Sequence, residues 1–350
     1  MTSPLPRYRQ PAEWAPHDAV WLAWPSHEHL WRDALPDARI AFVEFARAIA
    51  DVDSSGAARG EHLHVLVADA ANEALAREAL AGLPTTLHLL PFGDIWMRDI
   101  APIFVHDAAG AVVAAQFRFN GWGGKYVLPH DDAVAGCVAR ASRFASVAYD
   151  YVLEGGSVEV DGEGTILTSE QCLLHPNRNP SMDRAAIERA LCDSLGGTKV
   201  VWVRDGLLND HTDGHIDTIA RFVAPGVVAV MAPLGDDDPN AAVMQQIVDE
   251  LATQTDAAGR TLRIARIPSP GRVLDADGKV MPASHVNFYI ANTTVIVPTY
   301  GTASASAAVA AVGALFPGRR AVGIDALAIL AGGGAFHCIS QQQPTRRVAT

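Results

Sequence analysis

Two stretches of this chain carry side chains that can do covalent chemistry, and they lie far apart in sequence. The first runs Gly332-Gly333-Gly334-Ala335-Phe336-His337-Cys338, followed by Ile339, Ser340 and the run Gln341-Gln342-Gln343-Pro344. A cysteine just after three glycines sits where backbone can approach a small ligand closely, because glycine has no side chain in the way. The second is His211-Thr212-Asp213-Gly214-His215-Ile216-Asp217. A thiol with a distant His/Asp cluster fits a nucleophilic cysteine enzyme whose parts meet only in the fold. Free cysteine is also among the most buried residue types, so Cys338 can equally be read as a small core residue. The flanking glycines and glutamines favour the nucleophile, since a plain core strand does not need them.

His211, Asp213, His215 and Asp217 alternate. On a strand they would share one face, about 7 Å between successive members. Such a face could hold zinc or another divalent ion in a metallohydrolase. Without metal, one histidine could serve as general acid/base while an aspartate binds a cation or orients that histidine. The plain alternative is a polar, solvent-facing strand start. If Asp213-Gly214 makes a turn instead, only His215 and Asp217 stay together.

Three further clusters stand out. Asp94, Trp96, Arg98 and Asp99 precede Pro102 and read as a loop lining a pocket, Trp96 offering an apolar wall or a cation–π face. The competing reading pairs Arg98 with Asp94 and leaves Trp96 in the core. Glu154-Gly155-Gly156 leaves room for a carboxylate to face a ligand. Phe119-Asn120-Gly121-Trp122-Gly123-Gly124 is a glycine-rich loop without phosphate-loop spacing, which argues against nucleotide binding. One thiol, imidazoles and several carboxylates together suit a guanidinium. It is planar and cationic, and its N–H donors pair bidentately with carboxylates. Its carbon is a poor electrophile, so a thiolate is a better nucleophile than water. A cysteine protease would not surround its thiol with acids, which raise the thiol pKa.

The elements that must position these groups follow from apolar periodicity. Helices are predicted over Ala38–Val52, Ala71–Leu83, Asp132–Phe144, Met182–Leu195, Asn240–Thr255 and Ser304–Leu315, with Asp132, Ser181 and Asp238 at their N-termini. Strands are predicted over Ala19–Trp24, Leu63–Ala68, Thr86–Leu90, Val112–Phe119, Tyr151–Val160, Thr165–Thr168, Val200–Val203, Ile216–Val223, Val227–Met231, Thr261–Ile267, Val286–Ile290 and Thr294–Pro298. The order is roughly strand, strand, helix, strand, about five times over, with no low-complexity linker. One α/β domain over residues 1–350 is expected. At 350 residues and 49% hydrophobic there is ample material for a core, and the net charge of −12 disfavours nucleic acid or anionic membranes and favours a cationic small molecule. Four scattered cysteines with no Cys-x-x-Cys pair argue against a disulfide scaffold or zinc–thiolate site. The opening residues show no leader pattern and no apolar run reaches membrane-spanning length, so a cytoplasmic enzyme is expected. A homo-oligomer is left open.

In the same order and spacing, Pro11-Ala12-Glu13-Trp14, Trp21-Leu22-Ala23-Trp24-Pro25, Trp96-Met97-Arg98-Asp99, Glu154-Gly155-Gly156, Thr212-Asp213-Gly214-His215-Ile216-Asp217 and the Gly332–Pro344 segment resemble the agmatine deiminase family, within the guanidine-modifying superfamily of peptidyl-arginine and arginine deiminases. The resemblance spans essentially the whole chain. It implies a five-bladed α/β propeller with pseudo-fivefold symmetry, of pentein type, that needs no metal or organic cofactor. It also implies Cys338 as nucleophile, His215 as general acid/base, and Asp99, Glu154 and Asp217 as holders of the guanidinium. Trp96, Trp122, Asp213, Gly333 and Gly334 become the substrate-binding set. The implied reaction passes through an amidino-thioether on Cys338 and turns agmatine into N-carbamoylputrescine and ammonia. Peptidyl or free arginine is the alternative substrate. A metallohydrolase on His211, Asp213, His215 and Asp217, or a non-catalytic binding scaffold, would be a different class. Two positions depart from the family pattern: His211 where an acid is usual, and Phe336 where a smaller aliphatic is common. Both are expected near the substrate tail or the nucleophile.

Overall fold

A computed structural model describes residues 7–235 and 237–347; residues 1–6, on which the reading of no leader rests, fall outside them. The apolar runs become strands with both faces covered. Val227–Ala232 and Thr294–Thr299 are buried almost throughout, which is why they read as continuous apolar stretches rather than alternating ones. Ala220–Ala224 and Val227–Ala232 pair antiparallel through a tight turn where Gly226 takes φ 69°. The Ala241–Ala252 helix then crosses over to Arg263–Pro268, which pairs parallel with Val227–Ala232, because a parallel neighbour needs a crossover connection.

That unit of an antiparallel pair, a helix and a parallel strand recurs. Among the described residues the strands form five small sheets. Ile103–Asp107, Val112–Arg118 and Ala145–Val152 make one, edged by Tyr8–Arg9. Val158–Val160, Thr165–Ser169 and Lys199–Val203 make another, and Tyr289–Ile290, Thr294–Thr299 and Arg320–Asp325 a third. The remaining sheet joins the two ends of the chain. Gln341–Pro344 pairs antiparallel with His17–Ala23, which continues parallel into His62–Val67 and Thr85–Leu89. The apolar face of each sheet packs on its crossover helix. Leu35–Ala50, for example, buries Ala38, Phe42, Phe45, Ala46 and Ile49 and packs between His62–Val67 and the Thr294–Thr299 and Arg320–Asp325 strands of the neighbouring sheet.

The predicted helices all form, with ends displaced by a few residues. The N-terminal side chains differ. Asp183, not Ser181, caps Arg184–Leu195 by accepting the amide of Ala186 at 2.8 Å. Asp132 lies inside the helix that begins at Asp131, and Asp238 accepts the amide of Asn240 rather than capping Ala241–Ala252. Tyr151–Val160 is broken by a turn at Gly155–Ser157, and Ile216–Val223 opens with a 3₁₀ turn at Ile216–Thr218 before the strand Ala220–Ala224. Val286–Ile290 shortens to Tyr289–Ile290. Four further strands form: Tyr8–Arg9, Ile103–Asp107, Arg320–Asp325 and Gln341–Pro344. The last carries three buried glutamines, two of which accept side-chain hydrogen bonds: Gln343 from the Trp21 indole N–H at 3.0 Å and Gln342 from Arg98 at 2.6 Å. No helix among the described residues is long and apolar enough to cross a membrane.

Phe336 ties the nucleophile's loop to the core. It is fully buried, stacked on Phe45 at 4.7 Å between ring centres, and Phe45 in turn meets the edge of Tyr289 at 5.8 Å. Phe336→Ala should lower unfolding free energy by about 3–5 kcal/mol, the usual range for emptying a buried aromatic site. Urea denaturation would measure it, and a loss below about 1 kcal/mol would show that Phe336 does not anchor the loop.

Candidate active site

In each of the five units the backbone turns just ahead of the first strand, and a chemically active side chain sits on every one of these turns. Asp99 lies on the single-turn helix Met97–Ile100, before Ile103–Asp107. Glu154 precedes the Gly155–Ser157 turn and Val158–Val160. His215 and Asp217 precede Ala220–Ala224, Asn287 precedes Tyr289–Ile290, and Cys338 precedes Gln341–Pro344. The glycines beside them let these turns converge. A Cβ on Gly156 would lie 2.6 Å from His215 Nδ1, 2.9 Å from Asp99 Oδ1 and 3.1 Å from Asp217 Oδ2. One on Gly334 would lie 2.7 Å from the Trp96 ring and 3.0 Å from Cys338 Sγ. No other residue fits at either place.

Cys338 Sγ lies 3.6 Å from Asp217 Oδ2 and 3.2 Å from the Asn287 side-chain amide nitrogen, which can donate to it. Asp99 accepts the Trp122 indole N–H and the Gly156 amide, both at 2.9 Å, and its Oδ1 is 3.7 Å from His215 Nδ1. Glu154 accepts from Arg178 Nε at 2.7 Å, both side chains fully buried, while its Oε2 and His215 Nε2 have no protein partner. This desolvated crowd shifts every titration. Burial, then Asp217 and Glu154, push the Asp99 carboxyl well above the usual range. Burial raises Glu154 despite Arg178. Burial lowers His215 to about 3, so its imidazole is neutral. Burial, Asp217 and Asp99 together hold the Cys338 thiol well above 9.0, the ordinary value. Of the three carboxyls Asp217 alone moves down: burial opposes ionisation, but the hydrogen bond and charge of His337 outweigh it.

Behind the site lies a second row that sequence reading does not single out. His337 Nδ1 is 2.7 Å from Asp217 Oδ2, and its Nε2 is 2.7 Å from Glu13 Oε2. Each of those contacts needs a proton, so the Asp217–His337–Glu13 chain holds two between its three groups. Glu13 also accepts the Ile290 amide at 2.8 Å and forms an ion pair with the Arg221 guanidinium at 3.0 Å. Arg98 reaches Gln342 at 2.6 Å and Glu13 at 3.4 Å, not Asp94. The pairing of Arg98 with Asp94 is therefore absent. Glu13 and Gln342 stand in the motifs that carry the resemblance, and His337 adjoins Cys338, but nothing in their spacing predicts a shared network. Asn287 lies in a plain apolar run and carries no sequence signal at all.

Cys338 and Asp99 open into a cavity of about 280 Å³ walled by Trp31, Trp96, Trp122, Tyr126, His211 and the Gly332–Gly334 backbone. Asp94 clamps two of those walls, accepting the indole N–H of Trp31 at 3.0 Å and of Trp96 at 2.8 Å. His211 sits on the wall beside Tyr126, in keeping with a place near a substrate's tail. Phe336 points the other way, into the core, so its departure from the family pattern does not alter this wall. Asp213 is a correction to the substrate-binding set. It is absent from the cavity wall, and its carboxylate is taken up by Lys125 at 2.7 Å and Arg178 at 2.6 Å.

The alternating strand does not form. Asp213 and Gly214 take φ 66° and 82°, so the segment is a turn and only His215 and Asp217 reach the site. Among the described residues, the one group of three His, Cys, Asp or Glu side chains with ligand atoms within 4.8 Å is Glu154, Cys172 and His215, not His211, Asp213, His215 and Asp217. The metallohydrolase expectation loses its ligand set.

The sequence from residue 9 to 344 matches the model of the Porphyromonas-type peptidyl-arginine deiminase family. The chain is 37% identical to the agmatine deiminase of Pseudomonas aeruginosa, over 98% of this chain and 97% of that one. It superposes on a solved agmatine deiminase of Enterococcus faecalis with a TM-score of 0.89 at 33% identity, covering 99% of each chain. A C. jejuni agmatine deiminase structure, at 24% identity and a TM-score of 0.87, shares the fold over 97% of both chains. The chain belongs to the agmatine deiminase and Porphyromonas-type peptidyl-arginine deiminase family.

Proposed function

We propose that this protein hydrolyses agmatine to N-carbamoylputrescine and ammonia. The observation that carries the reading is the convergence of His215, Glu154 and Asp217 on Cys338 and Asp99, which line a cavity whose wall bears the carboxylates Asp94 and Asp99 but no lysine or arginine. A guanidinium answers the carboxylates, and a tail without a carboxylate suits a wall that has no cation to receive one. The relatives named agmatine deiminase support the same substrate. The five sheets, each with at least one site residue on its leading turn, support a pseudo-fivefold propeller formed by a single domain. Four free cysteines accord with a reducing, cytoplasmic setting.

In this reading the guanidinium lies between Asp99, Asp217 and Glu154, and its charge relieves their mutual repulsion. The same charge lowers the thiol pKa that those acids raise, so the thiol proton can pass to neutral His215. The Cys338 sulfur then bonds to the guanidinium carbon, aided by the Asn287 amide N–H. Protonated His215 gives its proton to one amine, the C–N bond breaks, and ammonia leaves an amidino-thioether. His215, neutral again, takes a proton from water as the hydroxyl attacks. The C–S bond breaks and the urea-type product departs. His337 acts as a positioning residue, holding the Asp217 carboxylate through its 2.7 Å contact.

Ammonia release from agmatine, free arginine, a peptidyl-arginine ester and methylated arginines tests the assignment. Agmatine should lead arginine by at least a hundredfold in kcat/KM, about 2.7 kcal/mol. Cys338→Ser should abolish turnover while the melting temperature stays. Equal or better use of arginine would overturn the substrate, and an active serine variant would overturn the covalent route.

Asp99→Asn keeps volume but turns an acceptor toward N–H groups into a donor. We expect kcat/KM to fall well beyond tenfold with folding intact by thermal melt. Near-wild-type kinetics would make Asp99 a structural acid only.

The thiol pKa gives a pH test. Only the thiolate alkylates, and the substrate-free thiol sits well above 9.0. Modification of the Cys338 peptide by iodoacetamide, followed by mass spectrometry, should therefore keep accelerating past that pH. A plateau by about pH 8 would mean the carboxylates do not raise the thiol.

A further inference from the structure

Away from the site, on the sheet that joins the chain's two ends, three histidines share one face. Trp21, His64 and Thr86 are register partners across His17–Ala23, His62–Val67 and Thr85–Leu89, and His62 and His88 lie two residues along on the same side. His64 Nδ1 and His88 Nε2 share a hydrogen bond at 3.0 Å. Both rings rest on the Trp21 indole, at 4.3 and 4.9 Å between centres. That indole is itself fixed, because its N–H donates to Gln343 and its side chain is fully buried. All three imidazoles are half-exposed, so an ion from solvent can reach them. None has a part in the deimination chemistry.

We propose that His64 and His88 form a binding site for a first-row transition ion of the Ni²⁺ or Cu²⁺ kind. Two imidazole nitrogens about 2.05 Å from a common ion and 3.0 Å from each other subtend an angle of about 94° at it. That is a cis position of square-planar or octahedral coordination, which Ni²⁺ and Cu²⁺ favour, and is narrower than the tetrahedral angle zinc prefers. Imidazole is a good ligand for these ions, and the remaining positions would be water. Stacking on Trp21 fixes both rings beforehand, so little rotamer entropy is lost on binding. Binding an ion exchanges the hydrogen bond between the rings for two nitrogen–metal bonds, with each ring's own proton on its other nitrogen. His62, whose Nε2 meets Thr86 Oγ1 at 2.8 Å, stands beside the pair but outside it.

Ni²⁺ is the suitable probe, since Cu²⁺ would also oxidise thiols. Calorimetric titration of the chelator-treated full chain should show one dominant saturable site. His64→Asn and His88→Asn should each weaken it at least tenfold while keeping the wild-type melt. Because a variant can fail to fold, crystals of the wild-type protein soaked in Ni²⁺ give a second readout, with an anomalous peak expected between the two rings. Absence of saturable binding tighter than about 1 mM, unchanged affinity in a folded variant, or a peak only elsewhere would each overturn the site. None of these readouts uses turnover, so the site and the deiminase assignment stand or fall separately.

Discussion

Three carboxylates and a thiol share one desolvated space, and their mutual repulsion is the constraint around which the molecule is arranged. Asp99, Glu154 and Asp217 cannot all ionise cheaply there, and the Cys338 thiol cannot ionise beside them. The protein meets part of the problem with fixed donors. Arg178 serves Glu154, the Trp122 indole and Gly156 amide serve Asp99, and His337 serves Asp217. The balance is left for a cation that enters from the cavity. In the proposed reaction one charge both binds and activates, because the ligand that relieves the acids is the one that frees the thiolate.

The supporting row is as buried as the site it serves. Glu13 lies between His337, Arg98 and Arg221, and Arg221 is fully buried with Glu159 as its second carboxylate partner. Breaking one member of such a set leaves an uncompensated buried charge, which costs far more than losing a surface ion pair. This explains why residues from the start, the middle and the end of the chain are tied together below the reacting atoms. The strand Gln341–Pro344 follows Cys338 directly, and its pairing with His17–Ala23 carries the nucleophile back to the chain's beginning.

Local rules go a long way in this protein. Helical periodicity, turn glycines and apolar runs placed all six crossover helices and most strands within a few residues, because those segments bury their faces against their own unit. The thiol, the imidazole and the three acids could also be picked out, since glycine beside a reactive side chain leaves a mark in sequence. The resemblance to a known family joined them into one site and a reaction.

Period left two readings of His211, Asp213, His215 and Asp217 open, a strand or a turn at Asp213-Gly214; the folded chain takes the turn, with positive φ at both residues. Asp213 was then claimed by Arg178 and Lys125, partners that only the folded chain brings near. Asn287, His337, Glu13 and the histidine pair on Trp21 were beyond reach for the same reason. Their meaning lies in contacts across distant segments, and a sequence records residue types and local periods but not which buried polar atoms will share a proton.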